Sequence, residues 1–169
     1  MATMTNPYVG LISFQKALTG KQIQLHRCST DKDLYVHVDH PTPDEVRYTY
    51  TRLLSGNLAS GISILIMVEP YEGLPCFQVG YAVAEQLRGQ GIATDILTAS
   101  INELRAGLTR NNVKGPFFIE AMIDKTNSDS IRVAEKVLGP HVKETVDKET
   151  GTPAYQFMLK VNPLSQADF

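Results

Sequence analysis

The sequence predicts a single α/β domain of the α+β type, in which helices cover both faces of a mixed, mostly antiparallel twisted sheet of about six to seven strands. Strand patterns recur along the chain, and two neighbouring pairs of them are spaced as hairpins. Helix patterns stand between strands without the regular alternation of a doubly wound fold. A chain of 169 residues fits one domain, residues 1–169, and is long enough to bury a core.

Upstream of residue 60 the sequence predicts an extension, a strand and two helices. In chain order they are a less ordered N-terminal extension over 1–20, a short alternating strand over 22–28, a helix from Thr30 or Asp31 to Val38, and a helix from Pro43 or Asp44 to Leu54. Asp44 and Glu45 would lie in the first turn of the second helix, where the helix dipole favours acidic residues.

Downstream of residue 60 the apolar patterns are stronger. They predict strands over 62–69, 77–85, 117–124, 141–146 and 154–161, a helix over 93–108, a short helix after Asn127, and a tail over 163–169. The strand pairs joined across 70–75 and 147–153 are predicted hairpins. Asn127 suits the N-cap of the short helix, Asp129 suits its first turn, and Gly139-Pro140 ends it.

The composition argues against several classes of partner. Hydrophobic residues make up 43% of the chain, the net charge is −2, and no block of like charges occurs. The longest strongly apolar run, Ile62 to Val68, is too short to span a bilayer, and residues 1–18 lack the pattern of a secretory signal. We therefore expect a cytoplasmic protein with no nucleic-acid partner and no membrane partner.

Neither the cysteines nor the histidines predict a metal site. Cys28 and Cys76 fit no metal or redox spacing, so we expect both to be free, buried and inert. His37 and His40 flank Asp39 at a spacing that could hold a metal, but they precede two prolines and no further ligand cluster accompanies them. A solvated loop is the expected structure there.

The segment Arg88-Gly89-Gln90-Gly91-Ile92-Ala93, the glycine loop, is the best clue to function. It lies between a strand pattern and a helix pattern. Its glycines let the backbone turn tightly and expose N–H groups, and the helix start adds free donors and a partial positive charge. Arg88 adds a cation that can fork onto phosphate oxygens. The loop therefore predicts a phosphate or pyrophosphate site, although a plain flexible helix start would need the same glycines.

Two common nucleotide motifs do not fit this loop. A Walker loop would continue with Gly-Lys-Ser/Thr, which is absent here. A dinucleotide site would need a third glycine where Thr94 stands, and parallel strand–helix–strand units upstream. The ligand is therefore expected to be neither a nucleoside triphosphate nor a dinucleotide bound in these ways.

From the glycine loop onward the chain resembles the GNAT superfamily of acyl-CoA-dependent N-acetyltransferases. The pyrophosphate loop of that family reads Arg/Gln-x-x-Gly-x-Gly/Ala, and Arg88, Gly91 and Ala93 occupy these places. Ile119-Glu120-Ala121 and the later segment Asn127 to Lys136 resemble the subgroup that acetylates ribosomal-protein N-termini. The first sixty residues match the family only in their order of elements.

The resemblance implies the GNAT fold and acetyl-CoA as cosubstrate. Strand 77–85 would splay from strand 117–124 and leave a V-shaped split for the pantetheine arm. The implied cofactor-binding residues are Ala82, Val83 and Ala84 for pantetheine, Arg88, Gly89, Gln90, Gly91, Ile92, Ala93 and Thr94 for pyrophosphate, and Asn127 and Ser130 near the sulfur.

The implied reaction is direct attack of a neutral primary amine, on a protein N-terminus or a small molecule, on the thioester. A backbone N–H around Val83 or Ala84 would face the developing oxyanion. Many family members place a tyrosine that protonates the sulfur where this chain has Ala134. Ser130 is the candidate that takes over this role, by a hydrogen bond or a water relay. Alternatively, Ser130 only bonds back toward the Asn127 cap.

Glu120 is the candidate base. A carboxylate within an otherwise apolar strand is expected to be desolvated, with a raised pKa that suits proton acceptance, unless it pairs with an arginine across the sheet. Tyr155 could face either side of the sheet. No motif identifies the amine or decides between monomer and homodimer. Because Ala134 lacks a hydroxyl, a non-catalytic acyl-CoA-binding regulatory module on the same fold is the alternative function.

Overall fold

An eight-stranded sheet organises the chain in a computed structural model, which describes residues 6–165 and residue 168. The α-helices are α1 (Pro7–Thr19), α2 (Ile92–Arg110) and α3 (Ser128–Leu138). The strands are β1 (His26–Arg27), β2 (Tyr35–Asp39), β3 (Arg47–Leu54), β4 (Leu58–Tyr71), β5 (Leu74–Val83), β6 (Phe117–Asp124), β7 (Lys143–Val146) and β8 (Pro153–Val161). A 3₁₀ turn, Glu85–Leu87, follows β5.

The sheet has the order β1-β2-β3-β4-β5-β6-β8-β7. Every neighbouring pair runs antiparallel except β5 and β6, which run parallel. This confirms the predicted mixed, mostly antiparallel sheet. It has one or two strands more than expected, because strands replace the two helices predicted upstream of residue 60.

Those two helix predictions are wrong. Tyr35–Asp39 and Arg47–Leu54 are strands, and β3 pairs along β4 with Thr49 opposite Ile64. Aromatic and β-branched residues alternate in β3, a composition that favours a pleated strand. Asp31 starts a turn rather than a helix, since its side chain accepts a hydrogen bond from the Asp33 N–H at 2.9 Å. The strand predicted over 22–28 is reduced to the two residues of β1.

The predicted N-terminal extension is also wrong over its described part, because residues 7–19 form a packed helix. Asn6 caps α1 by accepting from the Tyr8 N–H at 3.0 Å, and Pro7 occupies the first turn. Leu11 and Phe14 are buried against the sheet. Residues 1–5 lie outside the described part of the chain, as do residues 166, 167 and 169 of the predicted C-terminal tail.

Helices cover both faces of the sheet, as predicted. On one face α1 packs on Ile62, Ile64 and Ile66 of β4. On the other face α2 and α3 share a core with odd-numbered residues of the central strands. The members of this core include Leu65, Phe77, Val79, Leu97, Ile101, Leu104, Ile119, Ala121 and Ala134. No helix of the described residues is long and apolar enough to cross a membrane.

The elements downstream of residue 60 follow the predictions closely. β6 has the predicted bounds, and α3 begins after Asn127, whose side chain accepts from the Ser130 N–H at 3.1 Å. α3 ends at Gly139. Both predicted hairpins, β4–β5 and β7–β8, are present. The β4–β5 hairpin is longer than expected, with its strands continuing to Tyr71 and from Leu74.

A V-shaped split opens between β5 and β6. The two strands pair over three positions, which end at Gln78 opposite Glu120. Beyond this point β5 stays with β4 as far as Val83, while β6 stays with β8 as far as Asp124. The strands therefore diverge from a vertex at Gln78 and Glu120, as the resemblance implied.

Candidate active site

The split forms a cleft of about 1580 Å³ that runs from the glycine loop to the vertex. Most of the residues predicted for the site line this cleft: Ala82, Val83, Arg88, Gly89, Gly91, Ile92, Ala93, Thr94, Glu120, Asn127 and Ser130. Ala84 and Gln90 are not among the lining residues, and the Gln90 side chain is exposed to solvent. One surface therefore brings together the residues predicted for cofactor binding and for catalysis.

The glycine loop is shaped to bind an anion. Gly89 and Gly91 have φ values of 76° and 78°, a left-handed conformation that other residues rarely adopt. A Cβ placed on either glycine would meet no atom of the described residues within 4 Å, so the loop surface is open. Gly91 is the N-cap of α2, and no side chain of the described residues caps this helix start. The N–H groups of its first turn are therefore free to donate.

Arg88 is held at the loop end of the cleft by two contacts. Its Nε donates to the Val83 carbonyl at 3.4 Å, and its guanidinium lies 5.0 Å from the centre of the Tyr8 ring. Tyr8 belongs to α1 and also lines the cleft. Nothing in the sequence links two residues so far apart, and Tyr8 was accordingly missed as a site residue. The cation–π contact keeps the positive charge beside the open loop.

The edge of β5 that faces the split carries free backbone groups. The Ala84 N–H donates to the Ser60 carbonyl at 3.0 Å, toward β4. Successive residues of an antiparallel strand point alternately toward and away from their partner, so Val83 and Tyr81 direct their N–H groups into the split, while the Val83 carbonyl accepts from Arg88. The Ala84 N–H, which was also predicted to face a ligand in the split, is therefore not free to do so. The free edge is roughly 13 Å long.

Ser130 is fixed at the start of α3 by its backbone. Its N–H donates to the Asn127 side chain, and its carbonyl accepts from the Tyr81 hydroxyl at 2.6 Å. The contact with the Asn127 cap therefore uses the backbone of Ser130 and not its hydroxyl. The half-buried Ser130 side chain faces the cleft. A functional role for this hydroxyl is compatible with its capping contacts.

Tyr81 fills the space beside Ala134. Ala134 is fully buried, and Tyr81 extends from β5 to α3 with 8% of its surface exposed. Burial raises the pKa of Tyr81 well above its ordinary value, so the phenol stays protonated. The alternation of large residues in β5 predicts that Tyr81 points toward the helices, but it does not predict the contact with Ser130.

Glu120 stands at the vertex, half-buried, and accepts a hydrogen bond from Gln156 Nε2 at 2.7 Å. Its partner across the sheet is thus a neutral amide and not the arginine considered as an alternative. Among the described residues no salt bridge neutralises this carboxylate. Gln156 was missed in the sequence, because its place beside Glu120 depends on the register of β6 and β8.

The two cysteines are free and buried, as expected. Burial, with the negative charge of Glu120 adding to it, raises the pKa of the Cys76 thiol to about 12. Burial likewise raises the pKa of Cys28 to about 12, helped by Glu103. Both side chains are therefore thiols at neutral pH and poor nucleophiles.

The remaining candidates lie away from the cleft. Tyr155 points to the α3 side of the sheet, where its ring lies 4.3 Å from that of His141. His37 and His40 each contact a backbone carbonyl through Nδ1, at 3.1 Å. Within residues 6–165 and residue 168, no group of three or more His, Cys, Asp or Glu side chains is arranged to hold a metal.

Comparison with known proteins gives a family and a fold. Residues 30–137 match the family model described as an acetyltransferase (GNAT) domain. A comparison with curated protein sequences gave no match. Among solved structures, a chain of the NatC complex bound to Gag peptide and CoA is 16% identical with a TM-score of 0.52, and the match covers 92% of this chain and 91% of that one.

Two bacterial enzymes are also similar in structure. Ribosomal-protein-S5-alanine acetyltransferase from Vibrio fischeri is 13% identical with a TM-score of 0.51, over 68% of this chain and 60% of that one. Aminoglycoside N(6')acetyltransferase from Legionella pneumophila is 13% identical with a TM-score of 0.50, over 70% and 64%. The matches thus span less than two thirds of either enzyme, and at these identities they show the shared fold.

Proposed function

Because the chain belongs to the GNAT acetyltransferase family, we propose that it transfers the acetyl group of acetyl-CoA to a primary amine, on a protein N-terminus or a small molecule. When bound, acetyl-CoA supplies the acetyl group as a thioester. The observation that carries the proposal is the split between β5 and β6, which has free anion-binding N–H groups at one end and the carboxylate of Glu120 at the other.

The residues of the loop end would hold the cofactor. The N–H groups at the start of α2 and the Arg88 guanidinium would bind the pyrophosphate. The free N–H groups of Val83 and Tyr81 on β5 would pair with the pantetheine arm as if it were another strand. Asn127 and Ser130 would then lie near its sulfur.

Residues at and near the vertex would accept and donate the protons that move in the reaction. Glu120, half-buried and without a cationic partner among the described residues, would accept the proton that the amine loses. The Tyr81 N–H, which lies closer to the vertex on the free edge of β5, would stabilise the oxyanion, and the Ser130 hydroxyl would donate to the departing sulfur. The raised pKa of Cys76 argues against an acyl-enzyme on this thiol and favours direct attack.

Similar structures support both kinds of acceptor in the proposal, a protein N-terminus and a small-molecule amine. The NatC structure contains a peptide, and the Vibrio fischeri enzyme is named for an alanine of ribosomal protein S5. The Legionella pneumophila enzyme is named for an aminoglycoside, which is a small molecule. An open cleft that reaches the vertex could admit either kind of amine.

Two measurements test the proposal. Calorimetry should detect binding of CoA, and a free-thiol assay should detect CoA release from acetyl-CoA with a panel of peptides and small amines. Failure of CoA to bind at millimolar concentration would overturn the proposal. Binding without turnover on a broad panel would instead support a non-catalytic acyl-CoA-binding module, the alternative that Ala134 suggests.

A further inference from the structure

An arginine of β3 lies beside the first turn of α2. Arg52 follows Tyr50 by two residues on β3, and Tyr50 is buried in the core that α2 covers, so both side chains lie on the same face of the sheet. Arg52 is opposite Gly61 of β4, where an added Cβ would come within 3.3 Å of Ile96 on α2. The absence of a side chain at Gly61 therefore lets the start of α2 approach the sheet next to Arg52.

Arg52 joins α2 to the turn that follows β1. Its Nε donates to Asp95 Oδ2 at 2.5 Å, and its Nη2 donates to Asp95 Oδ1 at 3.3 Å and to Asp31 Oδ2 at 2.7 Å. The bonds to Asp31 and Asp95 raise the pKa of Arg52 further above its ordinary value, so the guanidinium stays charged. The Arg52 side chain is only 22% exposed, which shields these charge-assisted bonds in part from solvent.

Asp95 places a negative charge beside the anion-binding end of α2. It lies in the first turn of the helix, and its N–H donates to the carbonyl of Gly91, the N-cap, at 3.1 Å. A carboxylate in this turn stabilises the helix, but it repels an anion that binds to the same N-terminus. Asp95 and Arg52 line a cavity of about 460 Å³, and Gly91 and Thr94 line both this cavity and the cleft. The ion pair and the anion site thus share one stretch of backbone.

We infer that Arg52 is a positioning residue of the cofactor site, which cancels the charge of Asp95 so that the N-terminus of α2 still attracts the CoA pyrophosphate. This inference rests on the part of the proposed function that concerns CoA binding, and not on acetyl transfer. Arg52 is not among the residues that line the cleft, so it acts through Asp95. α2 thereby combines an acidic first turn, which stabilises the helix, with an N-terminus that can bind an anion.

The other charges of the cavity wall leave this role to Arg52. The hydrogen bond from Arg52 keeps the pKa of Asp31 below its ordinary value, so Asp31 is a second carboxylate on the same guanidinium. Asp31 belongs to the turn after β1 and not to the helix, so its charge should affect the loop less. Lys136 of α3 also lines the cavity, but it forms no salt bridge with any described residue. Arg52 is therefore the cation that neutralises Asp95.

Substitution of Arg52 by methionine tests the inference, because Arg52→Met keeps an unbranched side chain and removes the charge. The readout is the affinity for CoA, measured by calorimetry at low ionic strength without an acceptor. We expect the affinity to fall about threefold to fivefold, because the unpaired Asp95 carboxylate then repels the pyrophosphate. In about 0.5 M NaCl this difference from the wild type should shrink below about twofold, because salt screens the repulsion. Arg52→Lys, which keeps the charge, should stay within about twofold of the wild type at low ionic strength.

Removal of the carboxylate distinguishes charge cancellation from a structural link. The double variant Arg52→Met/Asp95→Asn lacks the whole ion pair between β3 and α2, yet it should regain CoA affinity to within about twofold of the wild type. Arg52→Met/Asp31→Asn should regain less. Asp95→Asn alone, which leaves Arg52 in place, should bind CoA at least as tightly as the wild type. Weaker binding by Asp95→Asn, or no recovery in the Arg52→Met/Asp95→Asn variant, would overturn the inference.

The matched control is Arg47→Met. Arg47 lies on the same strand and forks onto Asp39, with its Nε 2.9 Å from Asp39 Oδ1, but it lines neither the cleft nor the smaller cavity. Its variant should bind CoA like the wild type, and an equal loss in Arg47→Met and Arg52→Met would overturn the inference. Normal CoA binding by Arg52→Met would overturn the inference alone. Failure of the wild type to bind CoA would overturn the proposed function as well, whereas CoA binding without acetyl transfer would leave the role of Arg52 in place.

Discussion

The two ends of the cleft have opposite hydrogen-bonding character. At the glycine loop the backbone offers donors, from the first turn of α2, and Arg88 adds a positive charge. At the vertex the Glu120 carboxylate offers an acceptor, held in place by the bond from Gln156. Under the proposed function, a bound molecule would place its anionic part at the loop and the acceptor amine toward the vertex.

The difference also concerns how each end is built. Apart from the Arg88 guanidinium, the loop end depends on backbone conformation within a few consecutive residues, so its glycines should not tolerate substitutions that disfavour a positive φ. The vertex depends on two side chains from different strands, so a change of a single atom there should alter the reaction. We therefore expect loop variants to lose cofactor affinity and vertex variants to lose turnover.

The largest effect is expected for Glu120→Gln. The amide that replaces the carboxylate keeps the shape of the side chain and can still accept a bond from Gln156, but it cannot take a proton from the amine. A general base contributes typically 10²- to 10⁴-fold, so kcat should fall by about that factor. CoA affinity should stay within about twofold. Steady-state kinetics and calorimetry measure the two quantities.

A normal kcat in Glu120→Gln would assign the base to another residue. A large loss of CoA affinity in this variant would instead contradict the proposal that the loop end binds CoA while the vertex acts in turnover. The two results are distinguishable because binding is measured without an acceptor.

The next largest effect is expected for Gly91→Val. A valine at a φ of 78° is strained, and its side chain would fill the open space above the loop where the pyrophosphate is proposed to lie. We expect CoA affinity to fall at least about tenfold, which corresponds to a strain of about 1.4 kcal/mol. Calorimetry with CoA measures the loss.

Gly73→Val is the matched control for Gly91→Val. Gly73 has a φ of 76° in the turn between β4 and β5, with equally open space around it and no part in the cleft lining. Its variant carries the same kind of backbone strain and should bind CoA normally. Equal losses in both variants would attribute the effect to general destabilisation and not to the loop.

How well each end of the cleft could be predicted from sequence also differs between the loop end and the vertex. The loop end could be predicted because its signals are local: glycines at a strand–helix junction, apolar periodicity over α2, and the Asn127 cap of α3. The strands β4, β5 and β6 were found because their apolar runs are long enough to exclude other elements. Each of these signals lies within the segment that it predicts.

The vertex and the first sixty residues depend on contacts between distant segments. The acidic residues near Asp44 resemble a helix start, but pairing with β4 makes the following residues a strand. The bond between Glu120 and Gln156 spans 36 residues and exists only in the observed register. For α1 a local signal was present, since Asn6 and Pro7 form a helix start that the sequence analysis overlooked.

The smallest effect is expected for Ser130→Ala, which asks whether α3 belongs functionally to the loop end or to the vertex. The Ser130 backbone makes the contacts with Asn127 and Tyr81, so α3 should form normally in the variant. If the hydroxyl donates to the departing sulfur, its removal should lower kcat about threefold to tenfold, the effect of one neutral hydrogen bond, without a change in CoA affinity. Ser128→Ala, in the same helical turn but exposed, should leave both values unchanged. A loss of CoA affinity in Ser130→Ala would show that the hydroxyl helps to bind the cofactor. An unchanged kcat would mean that another group donates the hydrogen bond to the departing sulfur.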